Sequence, residues 1–281
     1  MLTTGIWWDL GSGHTTKRAS AYAAQLAAIG IGHVATMLTG SERDDDDGSI
    51  QWDWTPERLK RWMDALAEQY MTTTWTMYAW PVAPLIDEQL EQLDAFLAVD
   101  QPGSIELDLE GGWRRHHVHG FASLSAAAEY LMAELRARIP VIEVTSYPLH
   151  AEMGSSPSAA QYADVVVPQA YSYRPGRDDP AYGWLGRYGP GAMQRLALGR
   201  VEKQLKQTAE RDAERTPQRI VCGLAAWAQT WRDHPAPEGM QVALDAALDR
   251  GITEIRYWSA KHALGPKANE YAADFIKIAS A

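Results

Sequence analysis

Short runs of β-branched and aromatic residues alternate along the whole chain with longer stretches whose apolar residues recur at helical spacing. Such short runs predict strands, and the stretches between them predict amphipathic helices. The predicted strands are Thr4–Asp9, His33–Leu38, Thr72–Trp80, Ser104–Glu110, Val141–Tyr147, Val165–Tyr171, Arg219–Ala225 and Glu254–Trp258. Each is followed by a predicted helix or by a loop-rich stretch, of which Tyr173–Pro190 is the longest.

The predicted helices cover Thr16–Ile29, a segment opened by Thr55, Ile86–Leu97, Ser123–Arg138, Met193–Glu214, Met240–Asp249 and Asn269–Ala279. Thr55 before Pro56 is a typical helix start. Strand and helix units that repeat about every 30 residues predict an α/β protein with a single (β/α)8 TIM barrel over residues 1–281. A doubly wound nucleotide-binding sheet fits less well, because Gly11-Ser12-Gly13 is too short a match to its glycine motif.

The fourth predicted strand carries acids at every second position. In a strand, Glu106, Asp108 and Glu110 share one face, opposite the apolar residues between them. Neither face of a strand in a helix-covered parallel sheet meets bulk water, so the three carboxylates are expected to line an interior or a cleft. The alternative is an acidic edge strand with a solvated face.

Crowded, poorly hydrated carboxylates repel one another, so at least one is expected to have a raised pKa and to donate a proton near neutral pH. Acid-catalysed glycoside hydrolysis uses a pair of Asp or Glu residues around the scissile bond. The chain also has 12 Trp and 12 Tyr but only 3 Phe. Trp and Tyr suit half-wet clefts that bind sugars, although about half of the Trp residues are expected to fill the core.

Composition excludes several classes of function. A net charge of −10 leaves no basic surface for nucleic acid. The single Cys222 allows no intramolecular disulfide and no zinc-ligand spacing, and there is no G-x-S-x-G nucleophile motif. Met1–Ile6 lacks the features of a signal peptide, and no apolar run reaches 18 residues. We therefore expect a soluble monomer without membrane insertion or cofactor, made in the cytoplasm without a signal peptide.

The active site of this fold lies at the carboxyl ends of the strands. Those ends carry Asp9, Tyr78, Trp80, Asp108, Glu110, Thr145, Tyr147, Gln169, Tyr171, Trp227 and Trp258. No metal site is predicted: His116, His117 and His119 cluster after the acidic strand, but the adjacent Arg114 and Arg115 would repel a cation. A solvated loop is the favoured interpretation of this cluster.

Three segments resemble the glycoside hydrolase family 25 lysozymes: Trp8-Asp9, Asp108-Leu109-Glu110 and Val144-Thr145-Ser146-Tyr147. The acidic strand also resembles the D-x-x-D-x-D-x-E signature of family 18 chitinases, as do Gln169-Ala170-Tyr171 and Trp258. The sequence departs from both families. Gly103 and Ser172 stand where family 18 has acidic or amide residues, and Tyr257–His262 lacks the further carboxylate of family 25.

The resemblance implies an endo-acting glycosidase on an N-acetylated glycan, in particular a peptidoglycan lysozyme of the phage endolysin type that reaches the cell wall through a separate release device. It implies Glu110 as general acid, Asp108 as its neighbour that raises its pKa and orients substrate, and Asp9 as a holder of water or of Asp108. The side chains expected to bind sugar are Gln169, Tyr171, Tyr147, Tyr78, Trp80, Trp113 and Trp258. Glu106 is expected to be structural and paired with Arg256. Alternatives are a chitinase-like endo-N-acetylglucosaminidase and a carbohydrate-binding barrel without activity.

Overall fold

The computed structural model describes residues 2–8, 18–39, 52, 54–109, 113, 118–146, 162–170, 191–211, 218–226, 236–264 and 271–281. Its strands are β1 (Thr3–Trp8), β2 (His33–Met37), β3 (Thr72–Tyr78), β4 (Ser104–Asp108), β5 (Ile142–Ser146), β6 (Val165–Pro168), β7 (Arg219–Ile220), β8 (Cys222–Ala225) and β9 (Glu254–Trp258). Its helices are α1 (Ala19–Ala28), α2 (Pro56–Ala67), α3 (Ala83–Leu97), α4 (Leu124–Arg136), α5 (Ala192–Arg211), α6 (Ala236–Leu248), α7 (Ala260–Leu264) and α8 (Ala272–Ser280).

The strands form one parallel sheet that closes into a barrel. Their order is β7-β6-β5-β4-β3-β2-β1-β9-β8. The predicted seventh strand is divided at Val221 into β7, which pairs with β6, and β8, which pairs with β9. The backbone N–H of Val221 donates to the Val166 carbonyl at 3.0 Å, and Gln169 bridges to Gly223. Both ends of the sheet therefore meet in one segment, and the predicted (β/α)8 barrel is confirmed.

Local signals explain where several helices begin. Thr55 caps α2 by accepting a hydrogen bond from the Arg58 backbone N–H at 3.4 Å, as its sequence predicts. Helix α3 begins at Ala83, earlier than predicted, because proline is well tolerated in a first helical turn and Pro84 therefore does not delay it. Helix α6 likewise begins before Met240, and the short α7 was not predicted.

The period of two along β4 separates two environments. Ile105 and Leu107 belong to the large core between the sheet and the helices, whereas Glu106 and Asp108 are buried on the opposite face, inside the barrel. For Glu106 and Asp108, this confirms that the acidic face is not solvated. A smaller apolar cluster fills part of the barrel interior, formed by Trp7, Ala35, Val165, Val167 and Val221. No helix within the described ranges is long and apolar enough to cross a membrane.

Candidate active site at the carboxyl ends of the strands

Asp108 and Gln169 meet at the mouth of the barrel. Asp108 ends β4 and is 8% exposed, and Gln169 directly follows β6. The Gln169 side-chain amide donates to a carboxylate oxygen of Asp108, Nε2 to Oδ1, at 3.4 Å. The bridge between Gln169 and Gly223 fixes the backbone at this point. Two residues predicted for the site from different strands are therefore in contact.

Tyr78 lies beside Asp108 on the neighbouring strand, where the two residues are in register. Its backbone N–H donates to the Thr39 hydroxyl at 2.8 Å, and its carbonyl accepts from the Gln89 amide. The ring packs edge to face with Trp80 at a centroid distance of 5.7 Å. Both aromatic residues are buried, and Tyr78 is level with Asp108 at the carboxyl ends of the strands.

Trp258 and Trp113 have different environments. Trp258 ends β9, is half-buried, and packs on Trp7 at a centroid distance of 5.6 Å and an interplanar angle of 60°. Trp113 is 0% exposed, belongs to the core outside the barrel, and donates from Nε1 to the Ala79 carbonyl at 2.6 Å. The ring of Trp113 is enclosed in this core, and the stacking role predicted for it stays a prediction.

Several predicted residues lie outside the described ranges. They are Asp9, Glu110, Tyr147, Tyr171, His116, His117 and Trp227. Their roles stay predictions. In the described part of the chain, His, Cys, Asp and Glu side chains form no group of three placed to hold a metal ion.

One layer deeper in the barrel, Glu106 forms an ion pair with Arg256, as predicted. The other Glu106 oxygen accepts from Trp7 Nε1 at 2.7 Å and from the Thr76 hydroxyl at 2.9 Å. Burial raises the pKa of Glu106, and the Arg256 guanidinium opposes this shift. Glu106 therefore has a bonded partner at each oxygen, which fits a structural role.

Sequence reasoning missed Glu143, which binds the same guanidinium. Its carboxylate accepts from Arg256 at 2.9 Å and from the Ser104 hydroxyl at 2.6 Å. Burial alone would raise the pKa of Glu143, but the charge of Arg256 is the largest opposing effect and the pKa is held at about 2. One positive charge cannot fully neutralise two carboxylates, so Glu143 is the acid held ionised and Glu106 the one with the raised pKa. A single acid among the β-branched residues of β5 was the available signal.

His33 completes this buried cluster as a neutral ring. Its Nε2 lies 3.1 Å from a terminal nitrogen of Arg256, which can only donate, so Nε2 is an acceptor. Nδ1 therefore carries the proton and donates to the Thr72 hydroxyl at 2.8 Å. Burial, followed by the charge of Arg256, lowers the pKa of His33 to about 3.

A cavity of about 400 Å³ lies at the opposite end of the barrel from Asp108. It is lined by amino-terminal strand residues, including Gly5, His33, Glu143, Arg219 and Arg256. Its charged groups are already paired, since Arg219 contacts Glu254 at 3.1 Å and Arg256 contacts Glu143. Because catalytic groups of this fold lie at the other end, this cavity is not the candidate active site.

Comparison with known proteins supports the fold. The catalytic domain of a hyperthermophilic chitinase from Pyrococcus furiosus has a TM-score of 0.64 at 14% identity, over 100% of this chain and 95% of that one. A GH113 β-1,4-mannanase has a TM-score of 0.64 at 10% identity, over 99% of this chain and 97% of that one. A xylanase and α-amylase inhibitor protein from Scadoxus multiflorus has a TM-score of 0.55 at 11% identity, over 98% of each chain.

Neither a family model nor a curated protein matches the sequence. At identities this low, likeness to solved structures establishes the barrel and leaves the chemistry to be argued from the site. The site itself combines a buried carboxylate, an amide that holds it, and aromatic rings at the carboxyl end of a (β/α)8 barrel.

Proposed function

We propose that the chain is an endo-acting glycoside hydrolase that cleaves an N-acetylated glycan, with peptidoglycan as its substrate. The observation that carries the proposal is the Asp108 carboxylate, buried at the end of β4 and bonded to Gln169. The mannanase and the chitinase have barrels of the same shape and act on glycans, as their names state. The same fold therefore accommodates the proposed reaction.

Glu110 is the general acid in this proposal. It follows Asp108 by two residues, so if the chain continued extended it would lie about 7 Å nearer the mouth on the same face. A carboxyl there can protonate the leaving oxygen of a glycosidic bond. The negative charge of Asp108 would keep Glu110 protonated by like-charge repulsion. Asp9, which follows β1 in the sequence, would hold water or Asp108.

Asp108 has the second role, which is to orient the substrate. The Gln169 amide holds one oxygen of this carboxylate. In this proposal the carboxylate would accept from an N-acetyl N–H of the substrate or stabilise positive charge at the anomeric carbon. The Gln169 amide and the Tyr171 hydroxyl would also bond to the sugar, and Trp258 would stack on its apolar face. Tyr147, Tyr78 and Trp80 would complete an aromatic wall around the bound sugar. Peptidoglycan is chosen because of the resemblance of Trp8-Asp9 and Asp108-Leu109-Glu110 to family 25 lysozymes.

A carbohydrate-binding barrel without activity is the second candidate. The specific observation in its favour is the similarity to a barrel that is named as an inhibitor protein. Gly103 and Ser172, where family 18 has other residues, agree with lost catalysis. A mere binder would gain little from crowding the three carboxylates of Asp9, Asp108 and Glu110, which is why hydrolysis is preferred.

Digestion of purified peptidoglycan and, separately, of chitin oligomers tests the proposal. The wild type, Glu110→Gln and the surface control Glu91→Gln are compared, and new reducing ends are identified by mass spectrometry. Muramic acid ends made by the wild type and by the Glu91 variant, but not by the Glu110 variant, support a lysozyme. Glucosamine ends from chitin would indicate the chitinase alternative. Binding of either glycan without cleavage would identify the inactive barrel.

A further inference from the structure

Trp7 lies across the interior of the barrel and is 1% exposed. Its Nε1 donates to the Glu106 carboxylate at 2.7 Å, and the Arg256 guanidinium lies 5.4 Å from its ring centroid. The ring also packs on Trp258 at 5.6 Å. Its far edge reaches β8, where a Cβ built on Gly223 would lie 3.0 Å from Trp7 Cη2. One indole thus connects the buried ion pair to the mouth of the barrel.

We propose that Trp7 is a positioning residue that fixes the ring of Trp258, and that Glu106 sets the position of Trp7. The sugar-stacking role of Trp258 rests on the proposed function, whereas the link from Glu106 through Trp7 to Trp258 rests on the contacts alone. Trp258 is half-buried and Trp7 is its packing partner inside the barrel. A displaced Trp7 would therefore leave Trp258 free to tilt.

The Nε1–H of Trp7 is the anchoring group. It is buried, so losing its acceptor would leave an unpaired donor, which costs more than an exposed one. The acceptor is itself fixed, because Glu106 is bonded to Arg256 and to Thr76. Gly223 leaves just enough room for the far edge of the indole. Trp7 is therefore held at its N–H, along one face and at its far edge.

Fluorine NMR of protein labelled with 5-fluorotryptophan tests the link without reference to activity. The Trp258 resonance is assigned from Trp258→Phe. Glu106→Leu removes the acceptor of Trp7 but keeps both indoles. We expect the Trp258 resonance to shift or broaden in this variant. We also expect it to show a larger solvent isotope shift in D2O. Thr76→Val is the matched control, since it removes the other bond to the same Glu106 oxygen, and its Trp258 resonance should stay in place. An unchanged Trp258 resonance in a folded Glu106→Leu protein overturns the proposal.

Trp7→Phe tests the same link with the ion pair intact, and so covers the case in which Glu106→Leu does not fold. It keeps an aromatic ring beside Trp258 but lacks the N–H anchor. The Trp258 resonance should gain solvent exposure, and KM for a glycan oligomer should rise about 3- to 10-fold at nearly constant kcat, as expected for weakened stacking. A fall in Tm with Trp258 exposure and KM both unchanged would reduce Trp7 to a packing residue. If the wild type cleaves no glycan, the proposed function fails, while the fluorine spectra still decide whether Trp7 fixes Trp258.

Discussion

Glu106 and Arg256 form an ion pair inside the barrel although 150 residues separate them in the sequence. Glu106 is 0% exposed and Arg256 is 3% exposed. The pair joins β4 to β9, which face each other across the barrel. Burying either charge alone would be costly, so each residue needs the other for the folded state.

Arg256→Met should destabilise the protein by about 3–5 kcal/mol, because it leaves two carboxylates buried without their shared cation. Urea unfolding at neutral pH measures the loss. Arg219→Met is the matched control, since Arg219 pairs with Glu254 near the surface and should cost about 1 kcal/mol or less. An equal loss in the free energy of unfolding for both variants would contradict the view that the buried ion pair stabilises the fold more than the exposed one.

His33 should make the protein less stable as the pH falls from 6.5 towards 3. Its pKa in the folded state is lowered to about 3, so over this range the unfolded chain takes up a proton that the folded protein does not. The contribution of His33 is fully present above pH 6.5 and is lost as the pH falls, with a slope of up to about 1.4 kcal/mol per pH unit. Urea unfolding at several pH values should give a shallower decline for His33→Gln, which keeps an acceptor for Arg256. Parallel curves of unfolding free energy against pH for the variant and the wild type would disprove the lowered pKa of His33.

The alternation along β4 was enough to predict the ion pair of Glu106, because period two places a deep acid inside any closed parallel barrel. The second contact of Arg256, with Glu143, was not predictable in the same way. It depends on the register that places Glu143 beside Glu106 on adjacent strands, and that register cannot be read from the sequence. The burial of Trp113 was not predictable for a different reason. It follows a glycine pair, where no helix or strand pattern indicates whether a side chain is buried.

Gly223→Ala should destabilise the protein by about 1–3 kcal/mol through overpacking. The new Cβ would lie 2.9 Å from the Pro168 carbonyl oxygen and 3.0 Å from Trp7 Cη2, and the backbone carbonyl cannot move freely. Thermal unfolding measures the change. Gly32→Ala serves as the control, because nothing lies within 4 Å of its added Cβ and its stability should stay within about 0.5 kcal/mol of the wild type.

Asp108→Asn should lower kcat by about 100-fold or more while leaving the free energy of unfolding within about 1 kcal/mol. The amide keeps the shape of Asp108 but cannot supply negative charge to the substrate. Steady-state cleavage of a defined glycan oligomer and urea unfolding are measured on the same preparations. A loss of activity that tracks a loss of stability would assign Asp108 to the scaffold instead.

Trp113 and Trp258 should respond oppositely to truncation. Trp113→Ala removes a fully buried ring and should cost about 3–5 kcal/mol in stability, with KM for the glycan unchanged at temperatures where the variant is folded. Trp258→Ala removes a half-buried ring at the mouth, so KM should rise while the stability loss stays smaller.

Each of these two tryptophan variants is the control for the other, because both lose the same number of atoms. Glycan binding followed by calorimetry, together with urea unfolding, separates the two effects even if cleavage is slow. A Trp113→Ala protein that folds normally but binds glycan weakly would return Trp113 to the sugar-binding wall predicted from the sequence. The burial of its ring and its bond to the Ala79 carbonyl argue for the opposite result, since a ring enclosed on both faces stabilises the fold and cannot contact substrate.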